Sequence, residues 1–190
     1  MNKKDIKNLV RKEIRIKRES LEENEKRRLS SIIIDKFLNL EEVKKASVIM
    51  SYMDFKNEVE SRELNNILLS LGKKLLIPRV TENKEKIIPV YVNGEYKKGN
   101  FGILESEGKD FTEKGIDIVI VPGIAFNEKG GRIGFGKGYY DKFLSEREKN
   151  GEKILKIALL YDFQIDRRFE SEEHDKAVDI LITESRIIKL

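Results

Sequence analysis

IDIVIVPGIAFNEKGGRIGFGKGYYD, residues 116–141, reads in three parts. Residues 116–121 are an unbroken apolar run, the pattern of a strand buried on both faces of a parallel sheet. Residues 130–138 then hold five glycines together with Arg132 and Lys137. Residues 139–149 read as a helix that Gly151 ends. A strand, a glycine loop and a helix in succession form the basic unit of an open α/β sheet. In such sheets ligands bind outside the carboxyl ends of strands, which is where this loop lies.

Other elements extend the alternation in both directions. Ile6, Leu9, Val10 and Ile14 at helical spacing predict a helix over 4–18. Ser20 followed by Glu23 is a capping box for a second helix reaching about Leu38, with Leu29, Ile32, Ile33 and Phe37 on its buried face. Residues 46–53 read as a short strand. Asn57 or Ser61 starts the next helix, whose Leu64, Ile67, Leu68 and Leu71 repeat helically before Gly72. Residues 74–78, 87–91, 154–161 and 177–183 read as strands, and 92–114 as loop. The fold class expected is α/β, in one domain spanning 1–190.

The glycine loop describes an anion cradle: glycine lets backbone N–H groups approach a ligand, and Lys and Arg add fixed charge. Gly131 to Lys137 satisfies the G-x-x-x-x-G-K portion of a P-loop, but Gly138 stands where a Mg²⁺-binding Ser or Thr is required. The dinucleotide pattern fails too, since Gly134, Gly136 and Gly138 are evenly spaced. A metal beside these phosphates therefore needs another ligand, and Asp141 is the nearest carboxylate. A glycine-rich hairpin without a ligand is the bland alternative.

Composition narrows the classes. At 190 residues with no cysteine, the chain has neither disulfides nor thiolate metal sites, and its single histidine, His174, argues against a histidine relay. No apolar run approaches the length of a membrane span, and the N-terminus lacks a secretory pattern. The net charge of +4 is uneven: residues 1–45 carry 14 Lys and Arg against 9 Asp and Glu. That excess suits an anionic ligand, a nucleic-acid surface or simply a solvated helix face.

VPGIAFNEKGGRIGFGKGYYDKFL, residues 121–144, resembles the signature of the 5-formyltetrahydrofolate cyclo-ligases: a strand, PG-x-x-F, a short loop, then G-x-R-x-G-x-G-x-G-Y-Y-D. Collinear pieces extend the likeness: Lys7 to Arg11, Ser51-Tyr52-Met53 with Asn57-Glu58-Val59, Leu76 to Arg79, Phe101-Gly102-Ile103, His174-Asp175 and Val178-Asp179. Two positions depart from the pattern: Arg168-Phe169-Glu170-Ser171 replaces a frequent Leu-Pro, and Ser106 a frequent Pro.

The resemblance implies a three-layer α/β/α architecture with a central, mostly parallel sheet. It implies ATP- and Mg²⁺-dependent cyclisation of 5-formyltetrahydrofolate to 5,10-methenyltetrahydrofolate, releasing ADP and phosphate through a phosphorylated formyl group attacked by N10. On this likeness Lys7, Arg11 and residues 132–140 (Arg132, Ile133, Gly134, Phe135, Gly136, Lys137, Gly138, Tyr139 and Tyr140) bind ATP. Met53, Glu58 and residues 135–139 meet the folate, while Asp141 and Asp175 hold Mg²⁺. Lys137, Arg132 and Tyr140 are the expected catalytic groups. A carboxylate such as Glu58 suits the amino-pyrimidine edge of a pterin because it accepts two N–H bonds. The expected partners are folate and ATP, without nucleic acid or membrane, for a cytoplasmic monomer. The competing reading is a non-enzymatic nucleic-acid-binding module using the basic N-terminal helices.

Overall fold

The computed structural model describes residues 2–99, 102–172 and 175–190. Phe101 and His174, both part of the resemblance, lie outside the described residues. In chain order the elements are α1 (Lys3–Glu19), α2 (Glu23–Leu38), α3 (Glu41–Lys45), β1 (Val48–Met50), α4 (Ser61–Ser70), β2 (Lys74–Val80), β3 (Ile87–Tyr91), β4 (Tyr96–Lys98), β5 (Leu104–Ser106), β6 (Ile118–Ile120), β7 (Ala125–Phe126), β8 (Arg132–Ile133), α5 (Tyr139–Lys149), β9 (Leu155–Leu159), β10 (Ile180–Ile182) and β11 (Ile187–Lys189).

A seven-stranded sheet runs in the order β11-β10-β9-β6-β1-β2-β3. Its five inner strands are parallel, and the edges β3 and β11 pair antiparallel to their neighbours. Side chains alternate across it with the period of two that a pleated strand imposes. Ile49, Leu75, Ile118, Ile120, Ile157 and Ile180 face α2 and α4, through Ile33, Phe37, Leu64 and Leu68. Met50, Leu76, Val119, Ala158 and Leu181 face α5, through Phe143 and Leu144. The result is the expected three-layer α/β/α arrangement.

Strand order fixes where a site belongs. From β1 the chain builds outward to β2 and β3, then returns to lay β6 on the other side of β1. The carboxyl ends of β1 and β6 thus flank a switch point, where the sheet leaves a crevice. The segment after β1 carries Glu58, and the segment after β6 carries the glycine loop. Helix α1 lies over this end: its Val10 and Ile14 pack with Ile124, Ala125 and Ile133 around the β7–β8 hairpin, and with Phe169.

Several local expectations are corrected. Ser20 does not open α2; it caps the end of α1, its hydroxyl donating to the Lys17 carbonyl at 2.9 Å. The capping box is instead Asn2 with Asp5, at the start of α1. In α2 Ile34 is buried and Ile32 only partly so. Leu9 and Leu71 are exposed rather than core. Of the two starts read for the helix after β1, Ser61 is the one adopted, because Lys56 and Asn57 take left-handed backbone (φ 48° and 58°). Its N-terminus is capped from outside, Asp54 Oδ1 accepting the Arg62 N–H at 3.2 Å. Residues 92–114 contain the β4–β5 hairpin, and the glycine stretch opens with β7 and β8. The strands expected over 46–53, 116–121, 154–161 and 177–183 are shorter than their apolar runs.

Candidate active site

The switch-point crevice is a cavity of about 1160 Å³. Drug-sized ligands occupy pockets of roughly 300–1,000 Å³, so this one has room for two substrates side by side. The residues to which the resemblance gives binding, catalytic or metal roles all line it: Lys7 and Arg11 from α1, Met53 and Glu58 after β1, residues 132–141, and Asp175. They arrive from four separate stretches of chain. An apolar wall of Pro78, Val80, Ile87, Ile103 and Leu104 closes the far side.

The glycines divide into two sets. A Cβ added to Gly130 would meet the Val178 carbonyl at 2.3 Å, and one added to Gly131 would meet the Ser171 hydroxyl at 1.9 Å. Those two serve the hairpin turn, so the hairpin reading describes the first half of the stretch. Around Gly134, Gly136 and Gly138 an added Cβ meets nothing within 4 Å. Gly138, at φ 65°, is the N-cap of α5. Gly134 has neither a positive φ nor a close neighbour. No contact within the molecule requires glycine there, whereas a ligand resting on the backbone would.

The charges around the loop are ordered differently from one another. Arg132 is buried on β8; its Nη2 donates to Asp141 Oδ1 at 2.6 Å, and its guanidinium lies 5.7 Å from the centre of the Tyr140 ring. Its Nη1 is buried without a hydrogen-bond partner. Lys137 is exposed at the lip and meets no carboxylate among the described residues. Lys7 Nζ reaches Glu172 at 2.7 Å and Asp175 at 3.3 Å, and together these hold its pKa above the usual lysine value although burial opposes them. Arg11 Nε donates to the Gly134 carbonyl at 3.3 Å; burial, then Arg15, lowers its pKa. Phe135 is 46% exposed at the crest, and the Tyr139 hydroxyl donates to the Lys84 carbonyl at 2.9 Å.

Deeper in the crevice the chemistry changes. Glu58 is 8% exposed, and its carboxyl is pushed up to about 7, chiefly by burial, against the pull of Arg18 and of the Phe55 N–H. Its Oε2 accepts that N–H at 3.0 Å, while Oε1 is buried without a hydrogen-bond partner. The Tyr140 hydroxyl is likewise orphaned, its pKa raised by burial and by Glu58. Native proteins satisfy nearly all buried polar atoms. Glu58 Oε1, Arg132 Nη1 and Tyr140 OH therefore form an acceptor, a donor and a hydroxyl waiting on one cavity.

Among the described residues no group of three or more His, Cys, Asp or Glu side chains could hold a metal ion. Mg²⁺ beside phosphates needs only one or two carboxylates and takes its other ligands from phosphate and water. Asp141 and Asp175 line the same cavity and offer the hard oxygen donors it prefers. Asp141 spends Oδ1 on Arg132 and on the Lys176 N–H at 3.0 Å; its Oδ2 accepts no hydrogen bond among the described residues. The donor set thus fits a cation completed by substrate phosphates.

A family model described as the 5-formyltetrahydrofolate cyclo-ligase family matches residues 3–184. The chain belongs to this family. A 5-formyltetrahydrofolate cyclo-ligase of Mycoplasma genitalium is 31% identical over 93% of this chain and 96% of its own length. The solution structure of the Aquifex aeolicus 5,10-methenyltetrahydrofolate synthetase superimposes with a TM-score of 0.85 at 36% identity, covering 97% of this chain and 93% of that one. The Mycoplasma pneumoniae synthetase gives 0.76 at 28% identity, covering 94% and 98%. Cyclo-ligases are enzymes, and the family reaction is the ATP-dependent conversion of 5-formyltetrahydrofolate to the methenyl form.

Residues to which the sequence reading gave no role in the site include Arg18, which holds the Glu58 turn, the apolar wall of Pro78, Val80, Ile87, Ile103 and Leu104, and Glu105, a buried carboxylate whose Oε1 accepts the Val80 N–H at 3.1 Å. No helix among the described residues is long and apolar enough to cross a membrane.

Proposed function

We propose that this cavity binds ATP on the glycine loop and 5-formyltetrahydrofolate against Glu58, and that the chain closes the methenyl bridge between N5 and N10 of the folate. The formyl oxygen is a poor leaving group. Attack of that oxygen on the γ-phosphate expels ADP; N10 then attacks the activated carbon, loses its proton, and phosphate departs. No covalent enzyme intermediate is needed, so the work is positioning and charge stabilisation. Backbone N–H groups at Gly134 to Gly138 cradle phosphate oxygens. Lys137 and Arg132 Nη1 supply positive charge where it builds, with Lys7 and Arg11 reaching the nucleotide from α1. The Glu58 carboxylate accepts from the amino-pyrimidine edge of the pterin, with Met53 and residues 135–139 around it, and the Tyr140 hydroxyl orients the reacting group. Mg²⁺, held by Asp141 and Asp175 with the phosphates, would neutralise charge on the transferring group.

Gly134 carries this reading. It is a glycine that neither backbone conformation nor packing demands, in a loop facing the same cavity as a buried carboxylate. The basic excess of the N-terminal helices favours the enzyme over a nucleic-acid module, because it is largely consumed locally. Lys7 and Arg11 turn into the cavity, Arg18 is buried, and Lys3 and Lys26 reach Glu170 and Glu60 beyond the two helices. One domain, working as a cytoplasmic monomer, completes the proposal.

The test is the near-ultraviolet methenyl band on mixing protein, 5-formyltetrahydrofolate and Mg-ATP. The band is expected to grow only when ATP and Mg²⁺ are both present. Gly134→Ala is expected to unfold within about 0.5 kcal/mol of the parent, as surface changes do, yet to raise the ATP KM at least tenfold, about 1.4 kcal/mol. A flat trace from folded protein overturns the activity, and an unchanged ATP KM in Gly134→Ala overturns the cradle.

A further inference from the structure

Arg18 is 3% exposed in the last turn of α1 and is absorbed by no part of the reaction described above. Its Nε donates to the Asn57 carbonyl at 3.2 Å, and its Nη2 to those of Phe55 at 3.0 Å and Lys56 at 2.6 Å. The Asn57 side-chain amide donates back to the Arg18 carbonyl at 2.9 Å. These four bonds clamp the turn formed by Lys56 and Asn57, the two consecutive non-glycine residues in left-handed backbone. Such residues are strained and persist only where the surroundings hold them. The turn delivers Glu58 into the crevice, with Glu58 Oε1 3.9 Å from Arg18 Nη2, too far for a hydrogen bond and close enough for attraction.

We infer that Arg18 is the positioning residue of the folate side of this site: it fixes the 55–58 turn so that Glu58 points into the cavity, and its guanidinium, 3.9 Å away, attracts the carboxylate form that accepts from the substrate. The inference rests on the reading of Glu58 as the carboxylate that meets the pterin. Opposing groups make the cation necessary. Asp54 on the same segment pushes Glu58 towards its neutral form, as burial does. Tyr52 and Tyr140, the other titratable groups facing it, stay neutral, and Arg132 is occupied behind Tyr140 by Asp141. Arg18 is therefore the cation that Glu58 has for itself. Because Lys7, Arg11 and Arg18 lie on one helix, α1 also sets the spacing between the nucleotide and folate halves.

The experiment uses the full chain labelled with ¹³C at glutamate carboxyls, with Glu58→Gln identifying the Glu58 signal. Titration midpoints are read for the parent, Arg18→Met and Arg18→Lys, alongside separate dissociation constants for 5-formyltetrahydrofolate and ATP at pH 6–9. In Arg18→Met the midpoint is expected to rise by about one unit or more, with folate affinity at pH 7 falling at least about fivefold and ATP affinity within twofold. Arg18→Lys is expected to restore the midpoint while recovering only part of the affinity, since an ammonium cannot span three carbonyls in a fixed plane. An unchanged midpoint in a folded Arg18→Met overturns the inference. Should Arg18→Met fail to fold, Arg18→Lys decides: full parental folate affinity overturns the turn-holding role, and weakened folate affinity with parental ATP affinity supports it. Glu58→Gln separates this from its premise. If that variant binds folate normally, the reading of Glu58 falls; if it binds weakly while Arg18→Met binds normally, only the role of Arg18 falls.

Discussion

Glu58 shows how one carboxyl can be set against the stability of its own fold. Burial raises it from 4.5 to about 7. Between those values the folded chain binds a proton that the unfolded chain does not, so stability falls as pH rises through the window and levels off above it. Glu58→Gln removes that loss. Urea unfolding is expected to show parent and variant nearly equal at pH 4.5–5 and the variant more stable by roughly 2–3 kcal/mol at pH 8. A constant difference across pH would mean that the carboxyl is not strained. The place of this residue beside the cavity was legible in the sequence, because the run Asn57-Glu58-Val59 resembles the family's acidic turn. Its clamp was not. Arg18 acts 37 to 39 positions away, on backbone carbonyls, and a bond to a carbonyl leaves no pattern in side-chain identity.

At the scale of elements, legibility followed punctuation and apolar spacing. Helix α5 runs between Gly138 and Gly151 as its flanking glycines announce, and β2 and β3 stand out as apolar runs. The β4–β5 hairpin was missed because β4 is Tyr-Lys-Lys and exposed throughout, which offers no alternation to read. The Ser20 signal misled because a hydroxyl near a helix end serves either terminus, and here it closes α1. That helix is docked chiefly by Val10 and Ile14, 0% and 2% exposed. Ile14→Ala is expected to cost about 2–4 kcal/mol, the range for emptying a buried isoleucine. It is also expected to weaken both ATP and folate binding, since the proposed site draws on this helix for each. Denaturant midpoints and the two dissociation constants check this; loss of only one affinity would show that α1 does not move as a unit.

Across the whole molecule, the alternation of strand and helix pointed to an open α/β sheet, the resemblance to its mostly parallel pairing, and the order of strand and glycine loop to the sheet end where that loop lies. The antiparallel edges were beyond reach, since pairing direction at an edge depends on where a short return segment lands. The cavity lining gathers seven Lys and Arg against five Asp and Glu. A concave surface of that balance attracts anions over about a Debye length, roughly 10 Å at 0.1 M salt. The association rate of ATP, followed by stopped flow, is expected to fall severalfold between low and moderate salt while turnover at saturation holds steady; a salt-independent rate would put the attraction elsewhere. Phe135 at the crest of the loop has a further consequence. The chain contains no tryptophan, so an indole substituted there would be the sole long-wavelength emitter, standing in water until a ligand covers it, and the loop would become an optical gauge of its own occupancy.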